Sequence, residues 1–340
     1  MRGGLSDARR RPGRPETHPC RAAGGHALAI STGYGTGYGA AGPGGPRRET
    51  EQVLYYGSFE DFLNKPDRWA VGPLAMIFVE DEVEIDTTLR HHRDCGFRTI
   101  VAFMPDDYPS APDLVEQIHR VRLDTVRRDV VPDTVNRMIA AAPGLWMYYC
   151  YNAEYLYYPF SETRSVGEML SFHTEERRDA MLTYVVDLYA DDLKAHPSAV
   201  SLDRAHLDRT GYYALARLDP DSGFALERQL DFFGGLRWRF EEHVPRTSRR
   251  IDRVGLFRSK PGLSLRGDHT FDDEEYNTYA CPWHHNLTAA ICSFRTAKAL
   301  KRNPGSTFDI TTFHWHNSVP FNWQSRQLLD LGLMEPGQWF

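Results

Sequence analysis

The sequence predicts an α/β protein with a mainly parallel central sheet and helices on both of its faces. Short apolar runs, each as long as a buried strand, alternate with longer segments that are typical of helices. Because parallel strands that follow one another are joined by right-handed crossovers, this alternation predicts a parallel sheet covered on both sides. The predicted strands are residues 75–79, 99–103 and 145–150, and the predicted helices are residues 86–95, 114–128 and 134–142.

Local signals mark the ends of several elements. Asp86 is expected to be the N-cap of the first of these helices, and Gly96 follows its end. Ser165 and Glu168 match a capping box, in which each side chain bonds to the other residue's backbone. This pair predicts that a further helix begins after residue 165.

The second half of the chain mixes short strands and loops. Residues 180–189 alternate as a strand with one apolar face. Residues 288–301 are predicted to form a helix, which Asn303-Pro304-Gly305 ends.

Residues 1–50 differ in composition from the rest of the chain. Glycine, proline, alanine and arginine dominate there, so the segment buries too little apolar surface to offset the entropy lost on ordering. We expect a disordered extension at residues 1–50, followed by a single domain at residues 51–340.

Charge and hydropathy exclude several classes of protein. The chain of 340 residues has a net charge of −6, which disfavours a nucleic-acid partner. No apolar run reaches the length of a membrane span, and no apolar stretch of a signal peptide follows Arg9-Arg10-Arg11.

The five cysteines are scattered and form no CxxC pair, so reduced thiols are expected. These features favour a cytoplasmic protein without a membrane span.

Acidic side chains follow each of the three predicted strands. They are Glu80-Asp81-Glu82, Asp106-Asp107 and Asn152-Ala153-Glu154. Ligands of open parallel sheets bind beyond the carboxyl ends of the strands, where such acids serve a cation or the hydroxyl groups of a ligand. The alternative is that these loops are polar only because they face solvent.

Taken together, these segments resemble the bacterial family-2-like glycosyltransferases. In that family a strand ends in an acidic or Asn-Glu pair, and the following helix closes with a His-Arg-x-x-Gly-Phe motif, as at His92-Arg93-Asp94-Cys95-Gly96-Phe97. The resemblance extends over about residues 75–300. The other segments that match the family are residues 76–82, 151–159, 233–239 and 254–258, and the pair Asp268-His269.

The resemblance implies a GT-A fold, which binds a nucleotide-diphosphosugar donor and transfers its sugar to the hydroxyl of a glycan or other acceptor, here in surface polysaccharide assembly. A divalent cation, Mn²⁺ or Mg²⁺, offsets the charge of the leaving diphosphate in that family. Tyr151 and Ala153 stand where the family has its two metal-binding aspartates, and Glu154 alone is retained. In a shifted alignment, Asn152 and Glu154 replace the aspartates, since both offer oxygen to a hard cation.

Roles for individual residues follow from the same resemblance. Arginines after the Gly234-Gly235 turn are expected to neutralise diphosphate, because guanidinium groups match phosphate geometry. The expected donor-binding residues are Glu80, Glu82, Asp106, Arg237 and Arg239; the expected metal ligands are Glu154, Asn152, His269 and His284; and the candidate bases are Asp231, Glu241 and Glu242.

Two other functions stay open at the level of sequence. Loss of the two aspartates favours a non-catalytic relative that binds a sugar nucleotide or a glycan. Alternatively, His314 and His316 lie two residues apart, as side chains on one face of a strand would, and could belong to a metal hydrolase.

Overall fold

The computed structural model describes residues 54–109, 111–280 and 285–339, all within a unit that spans Glu49–Phe340. The extension of residues 1–50, predicted to be disordered, lies outside the described residues. The described strands are β1 (Tyr55–Tyr56), β2 (Leu74–Phe78), β3 (Thr99–Met104), β4 (His119–Arg122), β5 (Trp146–Tyr151), β6 (Glu154–Tyr157), β7 (Ala180–Asp187), β8 (Tyr189–Ala190), β9 (Ala205–Asp208), β10 (Tyr213–Leu218), β11 (Ala225–Phe233), β12 (Asp252–Arg258), β13 (Ala289–Ser293) and β14 (Ser318–Pro320). The described α-helices are α1 (Phe59–Leu63), α2 (Ile85–Asp94), α3 (Val130–Ala141), α4 (Val166–Glu175), α5 (Gly235–Arg239), α6 (Arg295–Arg302) and α7 (Ser325–Asp330).

Nine of the described strands form one large sheet in the order β1-β4-β3-β2-β5-β12-β7-β13-β6. Strands β1 to β5, β7 and β13 run in one direction, whereas β12 and β6 run in the other. The prediction of a large, mostly parallel central sheet is therefore confirmed. Only two residues join β5 to β6, although three strands lie between them in the order of the sheet.

Helices cover both faces of the sheet, as predicted. Along β2, Ala75 and Ile77 pack with α2 and α4 on one face, while Met76 and Phe78 pack with α1 and α3 on the other. Side chains of a strand alternate between the two faces, so a fully apolar strand such as β2 fits a position buried on both sides.

Most of the predicted elements are present in the structure. Strands β2, β3, β5 and β7 and helices α2, α3 and α4 match the predicted segments within a few residues. The capping box is confirmed as well: Ser165 Oγ accepts a hydrogen bond from Glu168 N, and the Glu168 side chain accepts one from Ser165 N.

Three predictions of local structure are wrong. Helix α2 begins one residue before Asp86, whose carboxylate instead accepts a hydrogen bond from Ala111 N. The segment predicted as a helix at residues 114–128 contains strand β4, in which buried side chains alternate with more exposed ones. Of the helix predicted at residues 288–301, the first part is strand β13, because its five residues are fully buried between β7 and β6.

No helix among the described residues is long and apolar enough to cross a membrane.

Candidate functional site

A cleft of about 830 Å³ opens at the edge of the large sheet where its parallel strands end. The loop after β2 contributes Glu80 and Asp81 to its lining, and the last residue of β5 contributes Tyr151. Asp252 lines it from the start of β12, because that antiparallel strand begins where its neighbours end. The cleft therefore lies where open α/β sheets bind their ligands.

Basic side chains outnumber acidic ones in this cleft, although the whole chain has a net charge of −6. Guanidinium and ammonium groups that line a cleft attract an anionic ligand, although two of them, Arg237 and Arg253, are also paired with the buried carboxylates of Asp187 and Glu154. The basic lining residues are Arg127, Arg237, Arg250, Arg253, Arg295, Lys298 and Arg302, and the acidic ones are Glu80, Asp81, Asp129, Asp252 and Asp268.

Arg295 lies against the ring of Tyr151, with its guanidinium carbon 3.7 Å from the ring centroid. Its Nε and Nη2 atoms each donate a hydrogen bond of 2.7 Å to Glu80, so the pair is bidentate. The side chains keep 35% and 25% of their exposure, respectively, which leaves the pair at the wall of the cleft. Within the described residues, Nη1 of Arg295 makes no hydrogen bond and is available to a ligand.

Arg253 and Glu154 form a second arginine–glutamate pair, which is more deeply buried than the first. The Glu154 side chain is fully buried and that of Arg253 is 3% exposed. Glu154 also accepts hydrogen bonds from Ser293 Oγ and from Tyr151 N. Burial by itself would raise the pKa of Glu154, but the charge and hydrogen bonds of Arg253 outweigh it and lower the pKa to about 2.

Asn152 lies at the turn between β5 and β6, and its amide is fully engaged with the loop after β2. Its nitrogen donates to the backbone of Asp81 and Val83 and to the Asp81 carboxylate, and its oxygen accepts from Glu80 N. Asn152 thus fixes the loop that presents the acidic side chains.

Asp81 is engaged by two basic side chains of α6. Lys298 Nζ lies 3.1 Å and Arg302 Nη1 2.6 Å from its carboxylate. Although burial raises the pKa of Asp81, the charge of Lys298 and the hydrogen bond from Asn152 leave it below the usual value. Asp81 is therefore an ionised anchor for helix α6.

Arg237 reaches the cleft from a turn that requires glycine. At Gly235, φ is +61°, and a Cβ atom there would lie 2.8 Å from Asp187 Oδ2. Arg237 Nε donates to Thr296 Oγ1 and its Nη1 donates to Arg250 O, while its Nη2 makes no hydrogen bond within the described residues. Arg237 Nε also lies 3.6 Å from the buried carboxylate of Asp187, and both Arg237 and Arg295 line the cleft.

His269 lines the same cleft with φ of +67°, and its ring stacks on that of Tyr149. Its Nδ1 atom lies 3.1 Å from the Tyr149 hydroxyl. Burial and the charges of Arg253, Arg295 and Arg237 lower the pKa of His269 to about 3. The imidazole is neutral near pH 7 and offers a ligand a neutral nitrogen.

The predicted site residues thus fall into two groups. Glu80, Arg237 and His269 line the cleft; Asn152 and Glu154 are buried behind its wall. His284 lies outside the described residues.

The other candidates do not line the cleft. Arg239 is held by Asp208 and lies over the ring of Trp315, at 4.5 Å from its centroid. Glu82 and Asp106 are exposed, and Asp106 accepts a hydrogen bond from Tyr55. None of the three candidate bases lines the cleft, and each lies beside a basic residue: Asp231 beside Arg217 and Arg250, Glu241 beside Arg249, and Glu242 beside His243.

Sequence analysis missed Arg295, Lys298 and Arg253, which carry much of the charge of the cleft. Arg295 lies two residues after the end of strand β13, and this position would have indicated a strand-end residue if the strand had been predicted. Arg253 gives no comparable signal, because its role depends on a carboxylate 99 positions away in the chain.

Comparison with known protein families gives no match to a family model, and comparison with curated proteins gives no significant match.

Proposed function

We propose that the chain is a GT-A-type glycosyltransferase, which binds a nucleotide-activated sugar in the cleft at the carboxyl edge of its sheet. The observation that carries this proposal is the excess of arginine and lysine in a cleft of about 830 Å³, within an otherwise acidic protein. Pockets for ligands of this size commonly measure about 300–1,000 Å³. The sequence resemblance to family-2-like glycosyltransferases is a second, independent support.

The diphosphate of the donor is the part of the ligand that this cleft fits best. Arg237 and Arg295 both line the cleft, and each has one guanidinium nitrogen that makes no hydrogen bond among the described residues, whereas the Lys298 ammonium is engaged by Asp81. Hydrogen bonds from a cation to a phosphate oxygen are about twice as strong as neutral ones.

Transfer breaks the bond between the sugar C1 and the diphosphate oxygen, which departs with the electron pair. The acceptor hydroxyl oxygen forms the new bond to C1, and its proton passes to a base. Cations near the leaving oxygen stabilise the charge that develops there in the transition state.

Asp268 is the cleft carboxylate that suits the role of base. Its side chain is 51% exposed, so an acceptor can reach it. Burial raises its pKa, but hydrogen bonds from Thr270 and the charges of Arg250 and Arg217 lower it below the usual value. Asp268 is therefore ionised near neutral pH and able to receive a proton, although as a weak base.

One observation favours the second candidate function, a non-catalytic relative that binds a sugar nucleotide or a glycan. Each of the five carboxylates that line the cleft lies within 4 Å of a basic side chain. Ion pairing favours the charged carboxylate and so weakens it as a proton acceptor.

Calorimetric titration with UDP and GDP in the presence of Mn²⁺ tests the binding step. We expect one of the two to bind, and Arg237→Ala to weaken that binding by about 1.5–3 kcal/mol, the magnitude of a hydrogen bond to a charged group. Arg326→Ala is the matched control, because it removes an arginine that is 78% exposed and lies outside the cleft. The proposal would be contradicted if neither UDP nor GDP binds. It would also be contradicted if a folded Arg237→Ala protein binds the nucleotide with the affinity of the wild type.

Release of nucleotide diphosphate from a panel of UDP- and GDP-sugars, with glycan acceptors present, separates the two candidate functions. A transferase releases diphosphate in step with the new glycosidic bond, and Asp268→Asn should slow that release without weakening nucleotide binding. Binding of the nucleotide without any release would support the non-catalytic function.

A further inference from the structure

We propose that this cleft neutralises the diphosphate of its ligand with arginine side chains, Arg295 and Arg237, in place of a divalent cation. The inference rests on the proposed function and concerns how the same site holds its substrate. It departs from the metal-dependent binding that the sequence resemblance implies.

The residues at the expected metal position do not fit a cation. Tyr151, in place of the first aspartate, presents its ring to Arg295 and carries no carboxylate of its own. Ala153 is fully buried in an apolar cluster with Tyr155 and Val186. Hard cations such as Mg²⁺ prefer carboxylate oxygens, which neither a tyrosine nor an alanine side chain supplies.

The two oxygen-bearing residues of the shifted alignment are already engaged. Both Glu154 oxygens accept hydrogen bonds from Arg253, and the Asn152 oxygen accepts one from Glu80 N. To bind a cation, Glu154 would have to release a buried guanidinium group, which would then be left without its partner. Among the described residues, no group of three or more His, Cys, Asp or Glu side chains is placed to hold a metal ion.

The charge around the position opposes a cation as well. The rings of Tyr149 and Tyr151 both lie beside Arg253, at 5.7 and 5.3 Å from its guanidinium carbon, and Arg295 lies against the second ring. Arg237 lines the same cleft as Arg253 and Arg295. Each of these three arginines is paired with a carboxylate, namely Glu154, Glu80 or Asp187. The guanidinium groups of Arg253 and Arg295 nevertheless occupy the space against the Tyr151 ring, where a cation would stand next to a like charge.

Arg295 is held ready for a ligand. Two hydrogen bonds to Glu80 and contact with Tyr151 fix its plane before any ligand arrives, and Nη1 is left unengaged within the described residues. Arg237, in the same cleft, is held by Thr296, by the backbone of Arg250 and by the buried carboxylate of Asp187. Because these hydrogen-bond donors are already fixed in the free protein, little entropy is lost when they bind a ligand. Preorganised donors of this kind can stabilise the charge of a diphosphate without a metal ion.

Two titrations with the nucleotide diphosphate that binds, UDP or GDP, test the proposal: one in EDTA and one in MnCl₂. We expect the two dissociation constants to agree within threefold for the wild-type protein. Arg295→Gln should weaken binding at least tenfold under both conditions, whereas Arg326→Gln should leave it unchanged. Because the Arg295 pair is partly exposed, the variant is expected to fold, which circular dichroism and a melting curve will check.

The outcomes separate this inference from the function on which it rests. Binding that requires Mn²⁺ would overturn the inference while leaving the proposed function intact. Binding in EDTA that Arg295→Gln does not weaken would also overturn it. Absence of binding under both conditions would overturn the proposed function, and the inference with it. If Arg295→Gln fails to fold, Arg295→Lys takes its place: it keeps the charge but loses the planar donor geometry, so binding should weaken severalfold.

Discussion

Two arginine–glutamate pairs flank Tyr151, and they differ in what surrounds them. Arg253 and Glu154 are buried, and both Glu154 oxygens are engaged by groups of the protein. Arg295 and Glu80 have the same bidentate geometry, but they lie at the wall of the cleft with one guanidinium nitrogen left for a ligand.

The difference separates a structural ion pair from a binding one. The inner pair joins β12 to β6, and its two charges satisfy each other away from water. The outer pair uses its carboxylate to orient an arginine toward the cleft. Glu154 therefore stabilises the fold and Glu80 orients a residue of the site, although both pairs consist of the same two residue types.

The largest change in the stability of the protein should come from breaking the inner pair, Arg253 and Glu154. Glu154→Gln leaves Arg253 charged, buried and without its counter-ion, so we expect the free energy of unfolding to fall by about 3–5 kcal/mol. The matched change in the outer pair, Glu80→Gln, should cost about 1 kcal/mol, because Arg295 is partly solvated. Urea denaturation of both variants measures the difference. Equal losses would show that the two pairs are energetically alike, against this account.

The inner pair should also be visible in the pH dependence of stability. The pKa of Glu154 is lowered from 4.5 to about 2 on folding, so its contribution is fully present above pH 4.5 and is lost as the pH falls toward 2. The stability difference between the wild type and Glu154→Gln should therefore shrink by about 3 kcal/mol over that window. Urea denaturation of the two proteins at several pH values measures it. A difference that stays constant with pH would contradict the assignment of an ionised Glu154.

The smallest effect on ligand binding is expected from Arg239, which the sequence suggested as a partner of Arg237. The structure engages its guanidinium with Asp208 and with Phe313 O, away from the cleft. Arg239→Ala should lower the melting temperature but change nucleotide-diphosphate affinity less than twofold. Calorimetry beside Arg237→Ala checks this, and a tenfold loss in the Arg239 variant would place the ligand elsewhere.

Much of the fold was predictable because β2, β3 and β5 are continuous apolar runs between helices. Strand β4 was missed since Leu114, Ile118 and Val121 have helical spacing, although the last of them lies in a strand. Strand β13 was missed because a short apolar run does not by itself distinguish a strand from a buried helix.

The candidate site was less predictable, because its pairs join residues that are far apart in the chain. Arg295 and Glu80 are separated by 215 positions, and nothing local to either residue indicates the other. The sequence did identify the strand ends that form the wall of the cleft. It placed Glu154 at the ligand, although the carboxylate is turned into the interior by Arg253 and Ser293.

The central claim, that arginines and not a cation meet the diphosphate, is tested most directly by a crystal structure of the complex with the bound nucleotide diphosphate, grown in MnCl₂. The account predicts diphosphate oxygens at about 3 Å from the guanidinium nitrogens of Arg295 and Arg237, with no anomalous manganese peak between the diphosphate and the protein. A manganese ion bridging the diphosphate to Glu80, Asp81 or His269 would contradict it.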